Sequence, residues 1–314
     1  TFGEWMPDQS GISGALTDAK NVVSQAIGYG PFPTPVALSS AAAEDLTSLY
    51  AAKAPDSTTF LFTAGASKIY TVGGTGTLTQ VNTGLTTGTN DRVRFTQFGK
   101  SVIACNNSQK LKSWTLGTST TFADLAANAP IAKYITVVRD FVVARNIGAG
   151  TSPNKVQWSG INDSSTWTTT ATSQSDYQLL PDGGDITGVV GGEFGIVFLE
   201  KAIVRMSYIG TPLIFQFDTI SRNVGCIEGN SIAQYSGTAY FLSDDGFYAC
   251  DGTNIVGIGA DKIDKYFFTH VDLNNINDMS TAIDAINNLV VWNYPNTDSG
   301  RSLLIYNFQT KIEL

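Results

Sequence analysis

The sequence is short of the residues that catalysis and metal binding most often draw on. One histidine, His270, occurs in 314 residues. A Ser-His-Asp or Cys-His site needs its histidine beside a nucleophile, and no G-x-S-x-G elbow accompanies this one, so a structural role is expected for it. The three cysteines, Cys105, Cys226 and Cys250, form an odd set with no C-x-x-C pair. That pattern excludes a disulfide framework and a zinc ribbon and predicts buried thiols. Only 15% of residues are charged, the net charge is -8, and Lys and Arg nowhere cluster. A face that grips nucleic acid by neutralising phosphates is therefore not expected. An acidic or neutral wall would still let a duplex pass without holding it. No run approaches 18 apolar residues and no charged-then-apolar leader is visible, so neither a membrane span nor a signal peptide is expected.

What the chain has in quantity is β-forming material. It is 42% hydrophobic and 11% aromatic, with 31 glycines and a Thr/Ser-rich texture, a mixture suited to many short strands joined by tight turns. From about residue 45 these strands come in groups of up to four, each group closed by Gly, Asn, Asp or Ser. The first group covers 47–53, 59–63, 68–72 and 77–81. Later groups contain VRFTQF, SVIAC and LKSW; KYITVV, FVVAR and KVQWS; ITGVV, GIVFLE, AIVRMSYI and FQFDTI; SIAQY, TAYFL, GFYAC and NIVGI; and STAIDAI, LVVWNY and SLLIYNF. The second strands centre on Leu61, Val102, Val142, Val197, Tyr240 and Val290, spaced 40 to 55 residues apart. Four strands at that period are what propeller blades show, because one small sheet must pack both faces against its neighbours. A β-sandwich also uses short, regularly spaced strands. The second strands FVVA, IVFL, AYFL and LVVW, however, are apolar throughout instead of alternating, as sheets buried on both faces require.

The expected architecture is thus all-β: a six-bladed β-propeller over 45–314, its last blade left incomplete by the stub at 311–314, preceded by an extended arm over 1–44. The Ala-rich stretch 41–52 reads equally as a helix or as the first blade strand. Gly73-Gly74-Thr75-Gly76 resembles a phosphate loop but has no Lys-Ser/Thr after it, and a hairpin is the better reading. Asp244, Asp245 and Asp251 offer paired carboxylates of the kind a propeller glycosidase would use. Asp245-Gly246 and Asp251-Gly252 are also the pairs that tight turns demand. Asp182-Gly183-Gly184-Asp185 lacks the alternating acidic spacing of a calcium loop. No catalytic residue, metal site or cofactor is expected. Trp5, beside Met6 and Pro7 in the aperiodic arm, is an aromatic anchor either for a neighbouring subunit or for its own propeller.

The arm EWMPDQSGISGALTDAKNVVSQAIGYGPFPTP resembles the N-terminal signature of the tail nozzle, or packaged-DNA-stabilisation, family of short-tailed bacteriophages. The matching residues are Trp5, Pro7 and Asp8, then Asn21-Val22-Val23, then Gly28-Tyr29 with Pro31, Phe32 and Pro33. Ser24 stands where that family often has proline, and over the remaining residues the similarity is one of architecture. The resemblance implies a virion structural protein made in the host cytoplasm. It would form a homo-oligomeric, six-membered ring below the portal and adaptor, through which double-stranded DNA is retained and then ejected. On this reading Trp5, Met6, Pro7, Tyr29 and Phe32 are the subunit-contact candidates. Two alternatives stand beside it: a propeller that binds a host-surface glycan or protein, and a propeller glycosidase.

Overall fold

Alternation along the second strands explains why their central residues, as in VIAC and FVVA, are apolar without interruption. In Ser101–Cys105, Val102 and Ala104 pack with Phe62, Trp114 and Phe122, while Ile103 and Cys105 point the other way and join Val142, Ala144 and Trp167. One strand therefore serves two interfaces, and a period-2 side-chain pattern leaves no face for water. Each fully buried Val, Leu or Phe in such a strand contributes on the order of 1.5–3 kcal/mol.

The computed structural model describes residues 3–9, 11, 14–25, 28–170, 172–310, 312 and 313. The chain is a six-bladed β-propeller of four-stranded antiparallel sheets, each built from four consecutive strands. Blade one is Ser48–Lys53, Thr59–Ala64, Ile69–Val72 and Leu78–Gln80. Blade two is Arg94–Phe98, Ser101–Cys105, Lys112–Thr115 and Ala123–Asp124, and blade three is Ala132–Val138, Phe141–Ile147, Ser152–Trp158 and Asp176–Leu179. Blade four follows with Ile186–Val190, Gly195–Leu199, Ile203–Gly210 and Ile214–Ser221. Blade five is Ala233–Tyr235, Thr238–Leu242, Phe247–Cys250 and Ile255–Gly257; blade six is Ser280–Asp284, Leu289–Pro295, Arg301–Asn307 and Ile312–Glu313. All six expected centres lie on second strands.

Three details differ from the sequence reading or decide it. The stub at the end of blade six pairs as a short fourth strand, with Tyr306 opposite Glu313 and Asn307 opposite Ile312, so that sheet has four strands. The Ala-rich stretch resolves to the strand Ser48–Lys53, whose Ala52 is buried against blade two's core. A helix, Asp264–His270, and a 3-10 turn, Leu273–Asp278, stand between blades five and six. None of the described helices is long and apolar enough to cross a membrane.

The chain divides into two compact units, one of Thr1–Pro35, Phe198–Arg205 and Thr219–Leu314 and the other of Val36–Val197 and Met206–Asp218. In the second, Phe62 is ringed by Trp114 and Phe122, both at 5.6 Å between centroids. In the first, the core gathers Phe247, Phe267, Trp292 and Tyr294 around Val290. Trp292 there donates from Nε1 to the Ser231 carbonyl at 2.8 Å.

Candidate functional site

The residues that carry the family resemblance lie in the arm, and the arm is folded onto its own unit. A short antiparallel ribbon, Val22–Ser24 with Tyr29–Pro31, doubles the chain back. The return brings the Tyr29 hydroxyl to the Trp5 backbone, where it accepts from Trp5 N at 3.1 Å and donates to the Gly3 carbonyl at 2.8 Å. Burial raises the Tyr29 pKa above the ordinary phenol value, the Trp5 N–H works against that shift, and Glu4 adds to it. Trp5 also forms a bridge to Leu16, flanked by Met6 N to Leu16 O and Leu16 N to Glu4 O, both at 2.9 Å.

The Trp5 ring is 5% exposed and belongs to the core of Phe247, Phe267 and Trp292. It meets Tyr266 edge-on at 5.2 Å, and Nε1 donates to the Thr17 carbonyl at 3.3 Å. Of the two roles the sequence left open for Trp5, the structure shows the ring packed within its own unit. The sequence reading does not include the helix that supplies Tyr266, and for that reason the docking surface was not legible. A signal for it existed: Ile263, Phe267 and Val271 recur at helical spacing, and all three are buried. Met6 and Pro7 are half-buried, while Tyr29 and Phe32, also half-buried, pack against the same core.

Asp8 joins the arm to that helix. Ile263, at the helix N-cap, provides no side-chain cap. Asp8 fills the role from outside, accepting from Lys265 N and Tyr266 N at 2.8 Å each, and its own N–H donates to the Lys262 carbonyl at 3.0 Å. A carboxylate at this end also complements the helix dipole. Alongside, Lys262 Nζ pairs with Glu4 at 2.7 Å. The lone histidine closes the other end of the helix: His270 stacks on Tyr266 at 4.0 Å, with Nδ1 2.7 Å from the Tyr266 carbonyl.

Next to Asp8 stands a carboxyl that the sequence reading missed. Asp264 is wedged between the Asp245-Gly246 turn and Gly259; a Cβ on either glycine would collide with its carboxyl group. Phe247 N donates to it at 3.1 Å. Burial, opposed by that N–H and reinforced by Asp8, Asp245 and Asp261, raises the Asp264 pKa to about 6. The carboxylates considered for glycosidase chemistry are engaged in turns and local bonds. Ser243 N donates to the Gly246 carbonyl at 2.8 Å, and Asp245 accepts from the Tyr248 hydroxyl at 2.9 Å. Burial and then that Asp245 bond push the Tyr248 pKa up to about 12. Asp251 accepts from Thr253 N and Asn254 N at 2.8 and 2.6 Å. Gly73 to Gly76 likewise form a hairpin, Gly73 N donating to Thr77 O at 2.9 Å. Among the described residues, no group of three or more His, Cys, Asp or Glu side chains is arranged to hold a metal ion.

Beyond Phe32 the chain runs exposed through 33–38, with Val36 89% and Leu38 59% accessible.

No protein-family model matches the chain, and no curated protein does. Among solved structures it is similar to the computationally designed Ika8 protein, at 12% identity and TM-score 0.47 over 86% of this chain and 73% of that one. It is also similar to a streptogramin B lyase, at 12% identity and TM-score 0.47 over 84% and 78%. The WD40 domain of Neurospora crassa Pan2 aligns at 8% identity and TM-score 0.46 over 79% and 71%. The assignment as a propeller rests on the strand pairing.

Proposed function

We propose that this chain is a structural subunit of a bacteriophage tail, of the nozzle or packaged-DNA-stabilisation class, which forms a ring-shaped conduit for double-stranded DNA. The observation that carries the reading is the coincidence of motif and joint. Trp5, Asp8 and Tyr29, three residues of the family signature, are those that fasten the arm to its unit. The net charge of -8 fits a wall that passes DNA without gripping it.

In a six-membered ring the portal and adaptor lie on one side and the remaining tail proteins on the other. With the Trp5 ring turned inward, the contact with a neighbouring copy can draw on exposed apolar side chains, of which Val36 and Leu38 lie in the last part of the arm. The test is assembly. Co-expression with the portal and adaptor of the same particle, followed by mass photometry and negative-stain imaging, is expected to give rings. Antibody labelling is expected to mark the tail of the virion. A chain that stays monomeric beside those partners and is missing from purified virions overturns the reading.

A further inference from the structure

The second strand of blade three, Phe141–Ile147, is buried along its whole length, yet its fifth residue is an arginine. Arg145 has no accessible surface. Strand alternation sends Val142 and Ala144 into the core shared with Ile103 and Cys105, so Arg145 lies on the opposite face with Phe141 and Val143. There its Nη2 is 3.4 Å from Met206 Sδ on the third strand of blade four. A thioether is a weak acceptor and carries no charge. The Nε and Nη1 groups find no acceptor among the described residues.

Local structure is shaped around this side chain. A Cβ at Gly195 would stand 3.2 Å from Nη2 and 3.0 Å from Val138 Cγ2, so a glycine is what lets this strand come so close to the guanidinium. The next residue, Asn146, takes φ 54° where the ladder shifts register, and its side-chain amide is fixed to the Ile186 carbonyl at 3.1 Å. Burial lowers the Arg145 pKa to about 9, with no neighbouring charge contributing, and the group is therefore still cationic at neutral pH. A buried cation without a counter-charge is strongly unfavourable, and proteins answer it with an ion pair or a bound ion.

We propose that Arg145, bordered by Val138, Gly195 and Met206, holds a small monovalent anion between blades three and four, with chloride the occupant in physiological salt. One guanidinium balances one negative charge. The side chains of Val138 and Met206 carry none of the further donors that the oxygens of a phosphate or sulfate would require. A halide also sheds its water more readily than an oxyanion of higher charge. The site is independent of the tail assignment.

Thermal unfolding of the purified chain in sodium chloride and in sodium gluconate, at equal ionic strength, tests it. A bound halide stabilises by mass action, so the midpoint should be roughly 2–4 °C higher in chloride and rise with its concentration. Arg145→Met, which replaces the charge with a side chain of comparable length, should abolish that dependence. Equal midpoints in the two salts for the parent chain, or a halide dependence retained by the variant, overturn the proposal. If the variant does not fold, crystals of the parent chain in sodium bromide decide the matter. An anomalous peak within hydrogen-bonding distance of Nε or Nη1 supports the site, and a water there without bromide overturns it.

Discussion

The anchor of the arm and the second strands of the blades are both buried, but they are held by different chemistry. Blades one to three are joined by continuous apolar faces, in which Phe62, Trp114 and Phe122 interlock and the second strand of blade two feeds two cores. The arm has one large anchor, Trp5, and otherwise a set of directional polar contacts: Tyr29 to Gly3 and Trp5, Asp8 to the helix, Glu4 to Lys262. Apolar packing is non-directional and spread over many residues, whereas a polar latch fails when one partner is removed. The blades should therefore lose stability by degrees and the arm should come away as a unit.

Truncation of the two aromatic centres gives the largest effects and the clearest contrast. Phe62→Ala should cost about 3–5 kcal/mol in global unfolding, read from denaturant melts with unchanged m. Trp5→Ala should cost less, on the order of 2–3 kcal/mol, because an undocked arm relaxes instead of leaving a cavity. Its signature is local: hydrogen exchange should accelerate at the Met6 and Leu16 amides while those of blades one to three keep their protection. Acceleration spread evenly over all blades would break the comparison, since the arm would then be part of the same cooperative core.

Asp8→Ala comes next, at about 1–2 kcal/mol, because it strips the helix of the carboxylate that serves two backbone N–H groups. Asp8→Asn should recover part of the loss, since the amide oxygen still accepts. A variant equal in stability to the parent chain, by thermal melts at neutral pH, would show that the latch is ornamental.

The blades could be read from the sequence because their physics is local and repeated. Val102 to Cys105 and Phe141 to Ala144 are apolar without interruption, and only a sheet covered on both faces requires that. The turn residues, Asp245-Gly246 among them, punctuate at the right places. The arm was harder, because its dock is made by residues about 260 positions away. Nothing near Asp8 in sequence announces that its partners are Lys265 and Tyr266. The helix carrying them is seven residues long and sits among Asp and Asn that read as loop. Asp264 was invisible for a related reason: its environment comes from Gly246 and Gly259, whose missing side chains make the space it fills. Arg145 stood in plain view within FVVAR, yet sequence alone takes such a residue for the polar end of a strand.

The same region predicts a pH effect of smaller size. The Asp264 pKa is raised to about 6 in the folded chain, from a usual carboxyl value near 4. The folded state then binds the proton more tightly than the unfolded state, so this group's contribution falls as pH rises from about 4 to about 6 and stays unfavourable above that. With partial exposure allowed for, the swing is on the order of 1–2 kcal/mol. Asp264→Asn keeps an acceptor for Phe247 N and should remove this part of the slope, leaving the variant more stable than the parent at pH 7 and closer to it at pH 4. Parallel stability curves for the two proteins between pH 4 and 7 would show that the pressure of Asp8, Asp245 and Asp261 on this carboxyl is relieved by solvent.

The smallest expected effect on the chain itself is the one most informative about assembly. Val36 and Leu38 make up no part of either unit's core and are largely exposed, so Val36→Asp with Leu38→Asp should change monomer stability by no more than about 0.5 kcal/mol. A charge on a surface that a neighbouring copy covers is another matter, because desolvating it costs far more than apolar burial at the same spot returns. The double variant should therefore fold as the parent does and fail to form rings with the portal and adaptor present. If it assembles normally, the copies meet elsewhere and the segment 33–38 only links the fastened part of the arm to blade one. Should it fail to fold, the segment supports the chain in a way its exposure does not reveal, and the contrast between the fastened first part of the arm and its bare end would be wrong at its second term.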